Sequence, residues 1–82
     1  HNIYPNPFNP IANIIYGIPE YAPVKVTVYD LRGRTMAVLK NGFETTGFYT
    51  VQWDASDFAS GVYFIEMRSN SFREIRKVLH MK

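Results

Sequence analysis

The sequence predicts an all-β fold, an antiparallel sandwich of about seven short strands. Three observations carry the prediction. Apolar residues recur with period two along most of the chain, the alternation of a half-buried strand. Gly, Asp, Asn and Pro interrupt that alternation at intervals of roughly 8–14 residues, as turns between short strands do. The chain is 46% hydrophobic with six Tyr, six Phe and one Trp, and large aromatic and β-branched side chains favour strands over helices.

The first ten residues form a unit of their own, a strap ahead of a sandwich over residues 11–82. Pro5, Pro7 and Pro10 remove three backbone donors, and each pushes the residue before it toward extended geometry. This stretch is expected to run as an extended strap across the domain, with Asn side chains closing local turns and Phe8 as its one large apolar anchor. Ile14, Tyr16 and Ile18 then alternate until Pro19 ends the strand. Val24, Val26 and Val28 alternate with Lys25, Thr27 and Tyr29. Asp30, Leu31, Arg32 and Gly33 carry turn chemistry, because Asp bonds its own backbone and Gly adopts positive φ. A short strand from Arg34 to Leu39 follows, and Asn41 with Gly42 signals the next turn. Tyr49, Val51 and Trp53 alternate with Thr50 and Gln52, and residues 54–61 form a loop. Tyr63, Ile65 and Met67 alternate with Glu66 and Arg68. Ser69, Asn70 and Ser71 turn the chain into a last strand from Phe72 to Lys82. Its apolar residues Ile75, Leu79 and Met81 fit one face of a strand in which Lys77 is the misfit, and the same residues nearly fit a helical stripe. Because only strands precede it, the segment is assigned to β.

Eighty-two residues make one domain, of a size that buries about 60–65% of its unfolded surface in one thin core. The core is expected to contain Val24, Val26, Val28, Tyr49, Val51, Trp53, Tyr63 and Ile65. Cysteine is absent, which excludes a disulfide framework and a thiolate metal site. No apolar run approaches the roughly 20 residues of a membrane span. The chain begins with His1 rather than Met, so it is expected to be a fragment whose export signal lies upstream. A net charge of +2 is too small to imply a nucleic-acid partner. Arg68, Arg73, Arg76, Lys77 and Lys82 nevertheless concentrate at the C-terminal end. They are read as a solvated strand face, with an acidic partner surface as the alternative.

Several motifs together support a family resemblance. Tyr4-Pro-Asn-Pro-Phe-Asn-Pro10, then Ile14, Tyr16 and Ile18-Pro19-Glu20, resembles the opening of the C-terminal sorting domains of the type IX (Por) secretion system. The resemblance continues in Val26-Thr-Val-Tyr-Asp30, in Gly33-Arg34, in Val51-Gln-Trp-Asp54 and in Ser60-Gly-Val-Tyr-Phe64. It ends with Lys77 and Lys82, and covers nearly the whole chain in order and spacing. It implies an immunoglobulin-like sandwich at the C-terminus of a secreted protein. The implied partners are an outer-membrane translocon, a surface sortase and the N-terminal cargo domain of the same chain. Export through the periplasm to the cell surface is implied with them. The family's signal is placed in the terminal strand, so Lys77, Val78, Leu79, Met81 and Lys82 become the candidate recognition residues. His80 stands where the family commonly has an apolar residue. The Ig-like domains of flagellar hook-capping proteins share much of the pattern. A structural or carbohydrate-binding accessory domain is therefore the alternative.

Nothing in the sequence suggests catalysis, and the chain is read as a non-enzymatic monomer without cofactor. His1 and His80 have no Ser or Asp in an evident relation and are read as surface residues. Asp54 and Asp57 are read as turn formers, with Ca²⁺ ligation as the alternative. Glycines fall singly, so no phosphate loop is present. Trp53 is in phase with Tyr49 and Val51 and is assigned to the core rather than to a sugar platform. Tyr29 and Phe64 are out of phase with their neighbours and are expected to be exposed and apart.

Overall fold

Among the described residues seven strands form, and most follow from an alternating segment of the sequence. The computed structural model describes residues 2–70 and 72–82, so the expectations placed on His1 and Ser71 lie outside the described residues. The strands are β1 (Asn2–Tyr4), β2 (Ile11–Ile18), β3 (Ala22–Tyr29), β4 (Thr35–Glu44), β5 (Gly47–Asp54), β6 (Gly61–Ser69) and β7 (Phe72–His80). They pair antiparallel in two sheets, one ordered β1-β2-β5 and the other β4-β3-β6-β7. A three-stranded sheet packed on a four-stranded one is the expected immunoglobulin-like sandwich.

The even residues of β2 and β3 meet the odd residues of β6 between the sheets. Ile14, Tyr16, Ile18, Val24, Val26, Val28, Tyr63, Ile65 and Met67 are all buried there. Trp53 closes one end of this layer, with its ring 5.1 Å from Tyr63, 5.5 Å from Phe58 and 5.4 Å from Phe8. Tyr49 and Val51 have the expected phase but are only half-buried. Their strand, β5, is the outer member of the smaller sheet, and the core thins toward that edge.

Two tyrosines fasten strand starts. Tyr63 donates to the Ala59 carbonyl at 2.7 Å, and Tyr49 donates to the Thr45 carbonyl at 2.8 Å. The first matches the tyrosine corner of immunoglobulin-like sandwiches, where a phenol bonds the backbone a few residues upstream. A third phenol, Tyr16, is buried and donates to Glu44 Oε1 at 3.3 Å. Burial, reinforced by the negative Glu44, pushes its pKa up to about 12.

The turn from β3 to β4 is built as its residues predict. Asp30 Oδ1 accepts the Arg32 and Arg34 N–H groups at 2.9 and 2.8 Å, and Oδ2 accepts Arg34 Nε at 2.8 Å. The Arg34 N–H, with the guanidinium and the Arg32 N–H, holds the Asp30 carboxyl below the usual carboxylate range. Gly33 takes φ 84°, where a side chain would be strained.

Three expectations need correction. Asn41 and Gly42 do not turn the chain. They continue β4, opposite Lys25 and Val24, and the chain crosses to the other sheet only after Glu44. Pairing with the full length of β3 outweighs the local turn preference. Asn2–Tyr4 adds a short edge strand at the start of the strap, opposite Asn13–Ile15, where none was foreseen. Tyr29 and Phe64 are register partners on neighbouring strands and are half-buried, not exposed and apart.

Candidate functional site

The terminal strand has a different phase from the one expected, and the reason is its register. Ser69 faces Phe72 across the last hairpin, so the odd, inward residues of β6 pair with even residues of β7. Tyr63 faces Val78 and Gly61 faces His80. Val78 and His80 are therefore buried at 1% and 0% exposure, whereas Ile75, Leu79 and Met81 are exposed. His80 is thus no surface residue. Its ring stacks on Phe8 with centroids 5.0 Å apart, and its Nδ1 lies 3.5 Å from the Phe8 carbonyl. An imidazole fills the apolar slot because Phe8 covers one face of it.

β7 is also the outer strand of the larger sheet, so its far side exposes backbone groups that need partners. The proline strap supplies them for the second half of the strand. Phe8 N–H donates to the Leu79 carbonyl at 2.9 Å, and Met81 N–H donates to the Phe8 carbonyl at 3.0 Å. The Asn6 side chain accepts Leu79 N–H at 3.0 Å and donates to the Lys77 carbonyl at 3.3 Å. Phe8 and His80 thereby form a parallel bridge. The strap can do this because its prolines alternate with residues that keep a donor. Asn6 lies between Pro5 and Pro7, and its amide mimics the peptide group that proline cannot offer. Phe8 itself is 1% exposed and anchors the strap in the core.

The candidate recognition residues separate into three positions. Lys77 and Leu79 project together on the outer face of the sheet, opposite Phe64 and Val62 of β6. Val78 points inward and presents no side chain to a partner. Met81 and Lys82 follow the strand and are exposed, with Lys82 N–H bonded to Ser60 Oγ at 2.9 Å. Asn6 and Phe8 complete the arrangement. Sequence reasoning named Phe8 as the anchor and expected the strap's Asn side chains to close local turns, whereas Asn6 reaches β7. The signal for Asn6 was available, since a side-chain amide between two prolines is well placed to replace missing backbone bonds.

Beside Leu79 and Lys77 lies a shallow hollow of about 440 Å³, lined by Tyr29, Leu31, Phe64, Glu66, Arg73 and Ile75. Glu66 is buried in its floor, accepting from Tyr29 Oη at 3.2 Å and from Arg73 Nε. Both carboxylate oxygens are thus bonded, and the network clamps β7 to β3 across β6. Asp54 forms the turn expected of it. Its Oδ1 accepts Ser56 N–H at 3.0 Å and the Ser56 hydroxyl, and these bonds hold the carboxyl below the usual range. Among the described residues no three His, Cys, Asp or Glu side chains gather as metal ligands would.

The family model described as "Secretion system C-terminal sorting domain" matches residues 2–81. No curated protein and no solved structure matches the chain.

Proposed function

Because this chain belongs to the family of secretion system C-terminal sorting domains, whose members are C-terminal sorting signals for type IX secretion, we propose that β7 and its strap are the part the export machinery reads. The domain directs a cargo, joined at its N-terminal side, through the outer-membrane translocon to the cell surface, where a sortase handles it. Lys77, Leu79, Met81 and Lys82 make the contact, and Val78 keeps the strand seated in the core. The domain itself performs no chemistry.

One observation supports this reading above the others. The strap bonds the outer edge of β7 from Lys77 to Met81 and so holds the exposed side chains there in a single orientation. A signal displayed on a strand fixed at both edges needs little ordering when it binds, which favours affinity.

Fusing residues 1–82 behind a periplasmic reporter, in a host with a type IX system, tests the proposal by gain of function. The fused reporter is expected in the medium or on the cell surface, and the unfused reporter in the periplasm. A fused reporter that folds but stays periplasmic contradicts the proposal.

A further inference from the structure

The strap covers only part of β7. Residues 77, 79 and 81 turn their outward backbone groups toward Asn6 and Phe8, as the bonds at Lys77, Leu79 and Met81 show. Strand geometry alternates, so Arg73 and Ile75 turn theirs the same way, away from β6. The sheet order ends with β7, and among the described residues no strand lies beside this stretch. The N–H and C=O of Arg73 and Ile75, and the N–H of Lys77, therefore face solvent in a row.

Basic side chains outnumber acidic ones along that row. Arg73, Arg76 and Lys77 are exposed. The nearby carboxylates are already engaged, Glu66 by Arg73 and Glu74 by Arg76 at 3.2 Å. Directly opposite Arg73 stands Arg68, a like-charged cross-strand pair that costs the free domain stability. The other edges differ. β1 is three residues long, two register shifts disturb the β3–β4 pairing, and β5 carries no basic residue.

From this edge and its charge we propose that the open half of β7, Arg73 to Lys77, adds an acidic extended segment of a protein partner as a further strand of the four-stranded sheet. Backbone bonds hold the added strand, and Lys77, with the excess of Arg68, Arg73 and Arg76 over Glu66 and Glu74, selects its charge. Ile75, 45% exposed, supplies the apolar contact on the outer face. The site deepens the reading of β7 as the recognised strand and rests on it. It lies in the half of the strand that the strap leaves open, so no rearrangement of the fold is needed for binding.

Amide exchange on the 82-residue chain tests the proposal, using synthetic peptides as probes. A peptide alternating Glu and Val is expected to slow exchange at Arg73, Ile75 and Lys77 by roughly tenfold or more. The same peptide with Lys in place of Glu is expected to leave these amides unchanged. So is the acidic peptide N-methylated at every residue, which keeps its charge and loses both pairing edges. Ile75→Pro removes an N–H that no β6 group uses, a change edge strands tolerate, and should abolish protection. The N-methylated arm decides the matter even where that variant folds poorly. Protection by the basic peptide or by the N-methylated one, or none by the acidic one, overturns the proposal. Export separates this from the sorting role. A folded Ile75→Pro reporter fusion that loses the peptide and is still secreted retires strand addition and leaves sorting standing. A parent fusion that binds the peptide but stays periplasmic does the reverse.

Discussion

Replacing Trp53 with alanine is expected to cost about 3–5 kcal/mol, the range for deleting a large buried aromatic. A domain of this size has on the order of 4–12 kcal/mol in all, so the variant should be largely unfolded or close to it at 37 °C. The size of the effect follows from the position of the ring. Trp53 is 2% exposed and touches Phe8, Phe58 and Tyr63, which belong to the strap, the β5–β6 loop and β6. The ring is the common partner of all three segments, so its loss leaves a gap shared among them. Urea unfolding followed by circular dichroism measures the loss. A variant with the parent's midpoint would mean that the ring is not where the core is packed.

Phe8→Ala is expected to have an effect of similar size, about 3–5 kcal/mol, with a different distribution. From the sequence, Phe8 was expected to anchor the strap, so its loss should loosen residues 1–10 and spare the rest. The structure gives it a larger part, because its ring lies between Trp53 and His80 and is 1% exposed. Removing it opens a cavity in the core and releases the strap's backbone bonds to Leu79 and Met81 together. Two readouts follow. The unfolding midpoint should fall, and the amides of Phe8, Leu79 and Met81 should exchange faster than the global loss accounts for. Those of Ile14 and Tyr16 should follow the global change. Unaltered protection at Met81 would show that the strap is held by something other than Phe8.

Most of the sandwich was legible because the apolar residues of β2, β3, β5 and β6 alternate without interruption and the Asp30–Gly33 turn is built from its own side chains. Two features were not, and both depend on long-range pairing. Asn41 and Gly42 look like a turn in isolation, but β3 is long enough to pair with them, and sheet formation overrides the local signal. The phase of β7 was misjudged because hydrophobicity alone makes Ile75, Leu79 and Met81 its apolar face. The parity was still recoverable from the hairpin: with Ser69 facing Phe72, inward Tyr63 and Ile65 require even residues inward on β7. That argument would have placed Val78 and His80 in the core. It would also have shown that Leu79 and Met81 are displayed. The docking of the strap was foreseen through Phe8, but its bonds to β7 through Asn6 depend on which edge lies open, and only the strand order reveals that.

The central claim is that the displayed side chains of β7 carry the sorting information, and one secretion measurement addresses it directly. In the reporter fusion, Lys77→Ala, Leu79→Ser, Met81→Ser and Lys82→Ala are combined. All four residues are exposed, so the core is untouched and the melting temperature should stay close to the parent's. A control combines Lys25→Ala with Arg32→Ala, which removes the same number of positive charges from exposed positions away from β7. The account predicts that the β7 variant, still folded, accumulates in the periplasm while the control is secreted like the parent. Normal secretion of the folded β7 variant would contradict it.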